Sequence, residues 1–187
     1  MSAHAHSSFT EWHREGRQAS YVRARKSSGG VLDLLEVARP AGDMSRPALP
    51  DIVLMEDMLG CSRVRGDLGG GRFDVSCEKG TLAVAAPNFA TSIVNEDAHR
   101  LRSLAFPVAQ WRGVLDEAAD GRFSFDGSCI YGRVFDSPAI RSALRNLWAL
   151  CDDEGAPSRL LARAAGCEIL AEFCRLGGTS FAPAKGG

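Results

Sequence analysis

Histidine side chains are the first candidates for metal binding or acid–base chemistry, and this chain has four of them. His4 and His6 form an HxH pair, and His13 follows in the same polar N-terminal stretch. The pair could hold a metal ion weakly, but a polar arm supplies no rigid geometry and no outer partners to orient the rings. His99 has no carboxylate or second histidine at ligand spacing, so we expect a hydrogen-bonded strand or strand-edge histidine. The spacing therefore predicts no metal site.

The six cysteines could form disulfides or a metal site, but no two of them make a CxxC pair. Five lie in segments that we predict to be strands or helices, and one adjoins Ile130: they are Cys61, Cys77, Cys129, Cys151, Cys167 and Cys174. We therefore expect reduced thiols that pack as small apolar side chains, as in an intracellular protein. The N-terminus has no apolar signal-peptide core, and no apolar run approaches the ~20 residues of a membrane span. These features predict a cytoplasmic protein without a membrane partner.

Nucleophilic and phosphate-transfer chemistry have no recognisable motif in this sequence. A Ser-His-Asp arrangement lacks the sharp turn that presents a nucleophile. The glycine-rich run at 67–71, DLGGG, is followed neither by Lys-Ser/Thr nor by a helix whose N-terminus could receive a phosphate. We interpret it as a tight hairpin turn in which glycine supplies positive φ. The sequence thus predicts no catalytic residue, no cofactor and no enzyme activity.

Arginines recur at alternate positions along several predicted strands: Arg23, Arg25, Arg63, Arg65, Arg72, Arg100 and Arg102. The pattern favours a solvated outer face. The alternative places one or two of them inside, where a guanidinium could bind a carboxylate ligand. The net charge of −1 argues against a basic nucleic-acid footprint over the whole chain.

Short apolar segments separated by turn residues occupy the chain up to residue 106. Turns recur about every 8–12 residues, a spacing typical of an antiparallel sandwich or barrel. A proline-rich segment at 40–50 is expected to be a loop. We predict strands over 21–26, 31–37, 51–58, 61–66, 72–78, 81–86, 89–94 and 99–106.

Alternation within two of these strands predicts which side chains line the barrel interior. The inward candidates are the larger ones, Phe73, Val75 and Cys77 in the first strand and Leu82, Val84 and Ala86 in the second. If Phe73, Leu82, Val84 and Ile93 filled the barrel, no room for a ligand would remain.

Helical periodicity begins at Pro107, where Val108, Trp111 and Leu115 form a short apolar stripe. Asp120-Gly121 is expected to end this helix, and 123–135 to be an irregular or extended return segment.

Two longer helices follow. Asp136 or Ser137 caps the first of them, and Pro138 takes its first position. Its apolar stripe comprises Ile140, Leu144, Leu147 and Cys151, and we place Trp148 in the core or at an interface. After a connection at 152–157, Ser158 is expected to cap the second helix, which Gly177-Gly178 ends. We assign this helix two stripes, Leu161, Ala164, Glu168 and Ala171 on one side and Leu160, Cys167, Leu170 and Cys174 on the other.

The domain organisation predicted from these segments has four parts. Residues 1–18 form a flexible N-terminal arm, 19–106 a barrel, 107–178 a helical extension, and 179–187 a disordered tail. Phe9 and Trp12 are unusual in a polar arm. Either they dock on the barrel or over its mouth, or they are an incidental aromatic pair.

These segments resemble the N-terminal, cupin-type effector-binding domain of AraC-family transcription regulators. The resemblance covers residues 21–178 and rests on GGGRFDVSCEKGTLAVAAPN, on HRLRSLAFP running directly into a helix, and on FDSPAIRSALRNLWAL followed by SRLLARAAGCEILAEF. It implies a mostly β fold, a cupin-like double-stranded β-helix barrel followed by an antiparallel helix pair. It also implies a ligand-sensing and dimerisation domain, with a small organic effector in the barrel and a homodimer formed through the C-terminal helices.

Two departures from related proteins refine this expectation. Metal-binding cupins carry an HxH pair and a glutamate before the glycine turn and a further histidine in a later strand, and this sequence has none of them at those places. Family regulators also continue into two helix-turn-helix units, which this sequence does not include, so we expect DNA contact only through such an added domain. The acidic connection CDDEGAP between the two helices also argues against DNA binding by this helix pair.

Two other functions stay open at this point. One is a small cupin-fold enzyme, an isomerase or a lyase, without the usual metal ligands. The other is a structural dimerisation module whose barrel is packed solid. The sequence does not identify the residues that bind an effector.

Overall fold

The computed structural model describes residues 6–119, 125, 129–151 and 155–177. The strands of this part are β1 Val22–Ser28, β2 Leu32–Arg39, β3 Gly42–Asp43, β4 Asp51–Asp57, β5 Ser62–Asp67, β6 Arg72–Cys77, β7 Leu82–Ala85, β8 Ser92–Asn95, β9 His99–Pro107 and β10 Val134–Phe135. The helices are α1 Phe9–Glu15, α2 Val108–Ala119, α3 Pro138–Leu150 and α4 Ala156–Leu176, with short 3₁₀ turns at Ala19–Tyr21 and Cys129–Gly132.

The strands form two antiparallel sheets that face each other. One has the order β1-β2-β9-β4-β7-β10, and the other has the order β3-β8-β5-β6. The eight strands expected from the sequence are all present, with bounds shifted by at most a few residues. β3 and β10 were not expected, because each contributes only two residues and is defined by its partner, β8 and β7 respectively. The mostly β fold with C-terminal helices is confirmed.

The hairpin between β5 and β6 shows how local sequence sets the register. The Asp67 carboxylate accepts hydrogen bonds from the backbone N–H groups of Gly69, at 2.8 Å, and Gly71, at 3.2 Å. Both glycines have positive φ, 112° and 105°, a region that side chains with Cβ rarely adopt. The DLGGG run is therefore a turn, as predicted.

Both faces of the six-stranded sheet are buried, which corrects one prediction. Leu82 and Val84 point away from the barrel interior and pack under the helices with Leu54 and Leu104. The smaller Ala83 faces inward instead. The assignment from alternation failed because it treated the sheet as having a single buried face, with the larger side chains on it.

The helices cover the outer face of this sheet, and α3 follows the prediction closely. Its N-cap is Ser137, whose hydroxyl accepts the backbone N–H of Ile140, with Pro138 at the first helical position. Its buried residues are Ile140, Ala143, Leu144 and Leu147.

Two predictions for α4 are wrong. The helix begins at Ala156 with Gly155 as N-cap, and Ser158 is a buried residue within its first turn. The preset φ of Pro157 suits a first helical turn, and the helix starts three residues earlier than predicted. The buried face is also different: Ser158, Ala162, Ala165, Gly166, Ile169, Leu170, Phe173 and Cys174. Only Leu170 and Cys174 of the predicted stripes belong to it.

Small residues explain why this face of α4 is the buried one. A Cβ at Gly166 would lie 2.4 Å from the Trp111 ring, so α4 approaches α2 more closely there than any larger residue permits. The leucines of the sequence had indicated that the opposite face of α4 would be buried. Close packing against α2 instead buries the face with small residues.

The N-terminal segment, predicted to be a flexible arm over 1–18, contains the helix α1. Ser8 caps α1 by accepting the N–H of Glu11. Phe9 and Trp12 are buried against the barrel, so the docking alternative is the one found. Cys61, Cys77, Cys167 and Cys174 are free thiols, and of these only Cys77 and Cys174 are buried as small apolar residues.

Several expectations lie outside the described residues: the helix end at 120–121, residues 152–154 of the connection, and the tail at 179–187. No helix in the described ranges is long and apolar enough to cross a membrane.

Candidate ligand-binding cavity

The two sheets enclose a cavity of about 90 Å³. A single buried water needs roughly 10–15 Å³, so the space suits several waters or a small organic molecule. Its apolar lining comes from six strands and comprises mainly Val37, Met55, Val64, Phe73, Ile93 and Leu101. Ala83 of β7 and Ser103 of β9 help to leave this space open, because they face inward while Leu82, Val84, Leu104 and Phe106 of the same strands lie under the helices.

Helix α1 closes one side of the cavity with Phe9 and His13. The backbone N–H of Phe9 donates to the buried carboxylate of Asp51. The hydroxyl of Thr10 donates to Asp33 at 2.8 Å, and Arg25 donates to the carbonyl oxygen of His13 at 2.5 Å. These contacts join a seven-residue helix to β1, β2 and β4, although the helix is far too short to be stable alone.

Most polar groups in the cavity wall already have partners. Asp57 accepts the N–H groups of Leu59 and Gly60, each at 2.8 Å, and the hydroxyl of Ser62 at 3.0 Å. The amide of Gln18 donates to the carbonyl of Met44 at 3.2 Å. These side chains hold turns and strands in place, and their hydrogen-bonding capacity is largely used.

Two polar side chains of the cavity wall have atoms without a hydrogen-bond partner among the described residues. Both terminal nitrogens of Arg46 are in this state, and so is the side-chain oxygen of Asn95. Arg46 lies between β3 and β4 and pairs with Thr91 through an isolated bridge.

Burial changes the ionisation of the titratable groups around the cavity. Burial lowers the pKa of His13 from its usual 6.5 to about 4, and the cations Arg46, Arg39 and Arg25 add to this effect. His13 is therefore neutral at pH 7 and donates through Nδ1 to the carbonyl of Phe9 at 3.1 Å.

Burial also changes the pKa of two further groups near the cavity, the Cys77 thiol and the Asp51 carboxyl that binds α1. Burial, assisted by the charge of Asp57, raises the pKa of the Cys77 thiol to about 11, so it is protonated at neutral pH. Burial raises the pKa of Asp51 too, while the hydrogen bond from Phe9 opposes that change.

The residues singled out from the sequence lie mostly away from this cavity. His4 is outside the described residues, and His6 contacts the Trp12 ring at a centroid distance of 4.8 Å. His99 begins β9, as expected. Its Nδ1 donates to the carbonyl of Asp97 at 3.2 Å, and its buried Nε2 has no partner in the described part. No group of three His, Cys, Asp or Glu side chains in the described ranges could hold a metal ion.

The strand arginines lie outside the cavity. None of the seven lines it, and Arg102, the most buried of them, forms an ion pair with Glu36 at 3.0 Å and lies over the Trp148 ring at 4.7 Å. Burial alone would raise the pKa of Glu36, but hydrogen bonds from Arg100 and Arg102 outweigh it and hold that pKa below its usual range.

The inward arginine is Arg46, which the sequence analysis did not single out. It lies in the proline-rich loop, where no periodicity indicates which side chains are buried. His13 lies in the predicted N-terminal arm, where periodicity likewise does not indicate which side chains are buried. The nearest sequence signal was the pair of aromatic residues in that arm, of which Phe9 now packs beneath the Arg46 guanidinium, 5.6 Å from the ring centroid.

Comparison with solved structures finds proteins of similar fold. Residues covering 86% of the chain superpose on 57% of the AraC-like transcriptional activator CuxR, with a TM-score of 0.58 and 10% sequence identity. The matched region is thus just over half of that activator. Comparison with protein-family models and with curated proteins gives no match.

Two further likenesses cover about half of this chain. The cupin domain of Cnp3 from Schizosaccharomyces pombe matches 49% of this chain and 68% of its own, with a TM-score of 0.39 and 16% identity. An RmlC-like cupin from Desulfovibrio desulfuricans matches 46% of this chain and 78% of its own, with a TM-score of 0.35 and 11% identity. At the level of fold, the chain is a β-barrel followed by a helix pair, and this fold is similar to that of the AraC-like activator over the matched region.

Proposed function

We propose that this chain is the ligand-sensing and dimerisation domain of an AraC-type transcription regulator that works in the cytoplasm. The observation that carries the proposal is the cavity between the two sheets, lined mainly by apolar side chains and bordered by a docked N-terminal helix. A mostly apolar cavity with a few oriented polar groups is the usual form of a small-molecule site. The fold likeness to an AraC-like activator supports the same reading.

Sensing fits the chemistry of the cavity better than catalysis does. The Cys77 thiol is a poor nucleophile because only the thiolate reacts readily, and its pKa of about 11 keeps it protonated. The oxygens of Asp57 are engaged by the turn that follows β4. His13 is hydrogen-bonded to its own helix. A small cupin enzyme without a metal remains the alternative, and turnover of a bound compound would favour it.

Helix α1 offers a route from ligand to response. Phe9 and His13 line the cavity, while Thr10 and the backbone of α1 are bonded to the barrel. A ligand that contacts Phe9 would change the free energy of docking of α1. The docked and undocked states of this helix would then be the two states that the effector selects between.

The dimer surface is proposed to be the solvent-facing side of α4. Leu160 and Leu161 are 70% and 54% exposed, which is unusual for leucine on a helix. Ala164, Cys167 and Ala171 extend the apolar strip at helical spacing, and each is exposed. A second copy of the chain could cover this strip through a two-fold contact. DNA would be read by a further domain joined to this one.

Filling the cavity tests the sensor function. Ala83 lies between Met55 and Val134 in the strand register, and all three line the cavity. We expect sugars, organic acids or aromatic compounds to include a class that raises the melting temperature of the wild-type chain, because a ligand of the folded state stabilises it. The same compounds should have no effect on a folded Ala83→Phe variant. If no class shifts the wild-type melting temperature, the sensor function is wrong.

A charge on α4 tests the dimer. We expect the wild-type chain to sediment as a dimer at tens of micromolar, and Leu160→Glu to sediment as a monomer, because the carboxylate would be buried in the contact. Leu59→Glu is the matched control: Leu59 is also exposed, at 54%, but it lies in the turn after β4 and not on α4. A monomeric wild-type chain, or an equal effect of both variants, would contradict this surface.

A further inference from the structure

Arg46 is a buried cation without a counterion among the described residues. It is 8% exposed, and neither of its terminal nitrogens has a hydrogen-bond partner in the described part of the chain. Burial lowers its pKa to about 10, so the guanidinium still carries its charge at neutral pH. A buried charge that lacks a partner is strongly unfavourable, and native proteins pair or hydrogen-bond nearly all of them.

The groups around Arg46 do not supply the missing partner. Its guanidinium lies over the Phe9 ring, a contact that favours the cation but accepts no hydrogen bond in the plane of the guanidinium. Asp51 acts on Arg46 through its charge, yet its carboxylate accepts the backbone N–H of Phe9 and forms no ion pair with Arg46. Arg46 itself lines the cavity, together with Phe9 and Thr91, so a ligand there would be its nearest possible partner.

We infer that the ligand of this cavity is a small carboxylate, and that Arg46 is the residue that binds its charge. This inference rests on the proposed sensor function and names its ligand class. A guanidinium presents parallel N–H donors that match the two oxygens of a carboxylate, and such charge-assisted bonds are the strong ones. The apolar residues of the cavity then take the hydrocarbon part of the acid.

A carboxylate fits better than a phosphate ester. A phosphate monoester carries close to two negative charges at neutral pH, whereas Arg46 is the only lysine or arginine among the described residues that line the cavity. One charge of the ester would stay uncompensated, in an apolar space that also includes the carboxylate of Asp57. A singly charged carboxylate leaves no such excess. The amide of Asn95 can donate or accept, so it does not decide the charge of the ligand.

The experiment compares acids with their own primary amides, which have nearly the same shape but no charge. Benzoate and benzamide, phenylacetate and phenylacetamide, and hexanoate and hexanamide are titrated into the wild-type chain by calorimetry, with phenyl phosphate as a further probe. We expect at least one acid to bind at least tenfold more tightly than its amide and than phenyl phosphate. The Arg46→Gln variant should lose that preference, with tenfold or greater weakening for the acid and little change for the amide.

A stability measurement gives a second readout that does not depend on the choice of acid. Arg46→Met replaces the guanidinium by an uncharged side chain of similar length that packs on Phe9. If Arg46 serves a ligand, this variant should melt without ligand at or above the wild-type temperature, since a buried unpaired charge is removed. It should bind none of the acids.

The outcomes separate this inference from the sensor function. Neutral compounds that bind as tightly as acids, or acids that bind Arg46→Gln unchanged, would overturn the carboxylate inference and leave the sensor function standing. Preference for phenyl phosphate would overturn it as well. Arg46→Met that melts several degrees lower would show that the guanidinium has a structural role, which also contradicts the inference. If neither these compounds nor any of the broader panel binds, both proposals fail.

Discussion

Replacing Gly66 with alanine is expected to abolish stable folding of the barrel. Gly66 lies in β5, opposite Ile93 of β8. A Cβ at this position would lie 1.9 Å from the carbonyl oxygen of Ser92 and 2.9 Å from the Cα of Ile93, so the backbone of β8 would have to move. We expect a loss of more than about 4 kcal/mol in the free energy of unfolding, which is a large share of the stability of a typical domain. Urea unfolding followed by circular dichroism measures it.

Gly113 provides the matched control for this substitution. It lies in α2, and a Cβ there would meet no atom within 4 Å. Gly113→Ala should therefore unfold at an equal or higher urea concentration, with a gain of about 0.5–1 kcal/mol from helix propensity. A Gly66→Ala variant within about 1 kcal/mol of the wild type would show that β8 can move aside without loss, contrary to the geometry.

The positions of the strands and turns along the chain could be predicted from the sequence because they depend on local chemistry. Alternating side chains, the proline-rich loop and the glycine hairpin each act within a few residues, and the structure shows them near the predicted places. The cap at Ser137 is local in the same way. The choice of the buried face of α4 does not depend on local sequence. The close approach of Gly166 to Trp111 decides which face is buried, and Trp111 is 55 residues away in the sequence.

The ligand site was harder to predict for the same reason. Arg46 and His13 belong to segments without regular periodicity, and their burial results from the docking of α1 on the barrel. The arginines on regular strands were the first candidates for binding a ligand. Alternation along a strand, however, usually directs charged side chains outward. In this chain the inward cation is on a loop, which is where binding residues are often found.

The division of residues between the two faces of the six-stranded sheet also explains the cavity. β4, β7 and β9 direct Leu54, Val84 and Leu104 under the helices, whereas Ala83 and Ser103 are directed inward. The helices thus cover several large side chains of this sheet, while Met55 and Leu101 line the cavity. A structural module with a solid barrel would show the reverse division, so this arrangement is the physical argument against that alternative.

Acidification from pH 7 to pH 4 is expected to destabilise the folded chain through His13. Its pKa in the folded state is about 4, below the usual 6.5 of an exposed histidine, and burial is the main cause. As the pH falls through 6.5, the unfolded chain binds a proton that the folded chain does not, so the free energy of unfolding decreases. The full shift corresponds to about 3 kcal/mol, lost progressively between these two values.

The substitution His13→Gln isolates this contribution, because glutamine can hydrogen-bond but does not titrate. Unfolding by urea at pH 7, 6, 5 and 4 should show a decrease for the wild type that exceeds the decrease for His13→Gln by about 3 kcal/mol. His99→Gln is the control: burial also lowers the pKa of His99, but this residue lies outside the cavity and α1. The part of the pH-dependent decrease in the free energy of unfolding that comes from His13 should therefore persist in His99→Gln. Equal pH slopes for the wild type and His13→Gln would mean that water reaches the His13 ring, and α1 would then not be closely docked over the cavity.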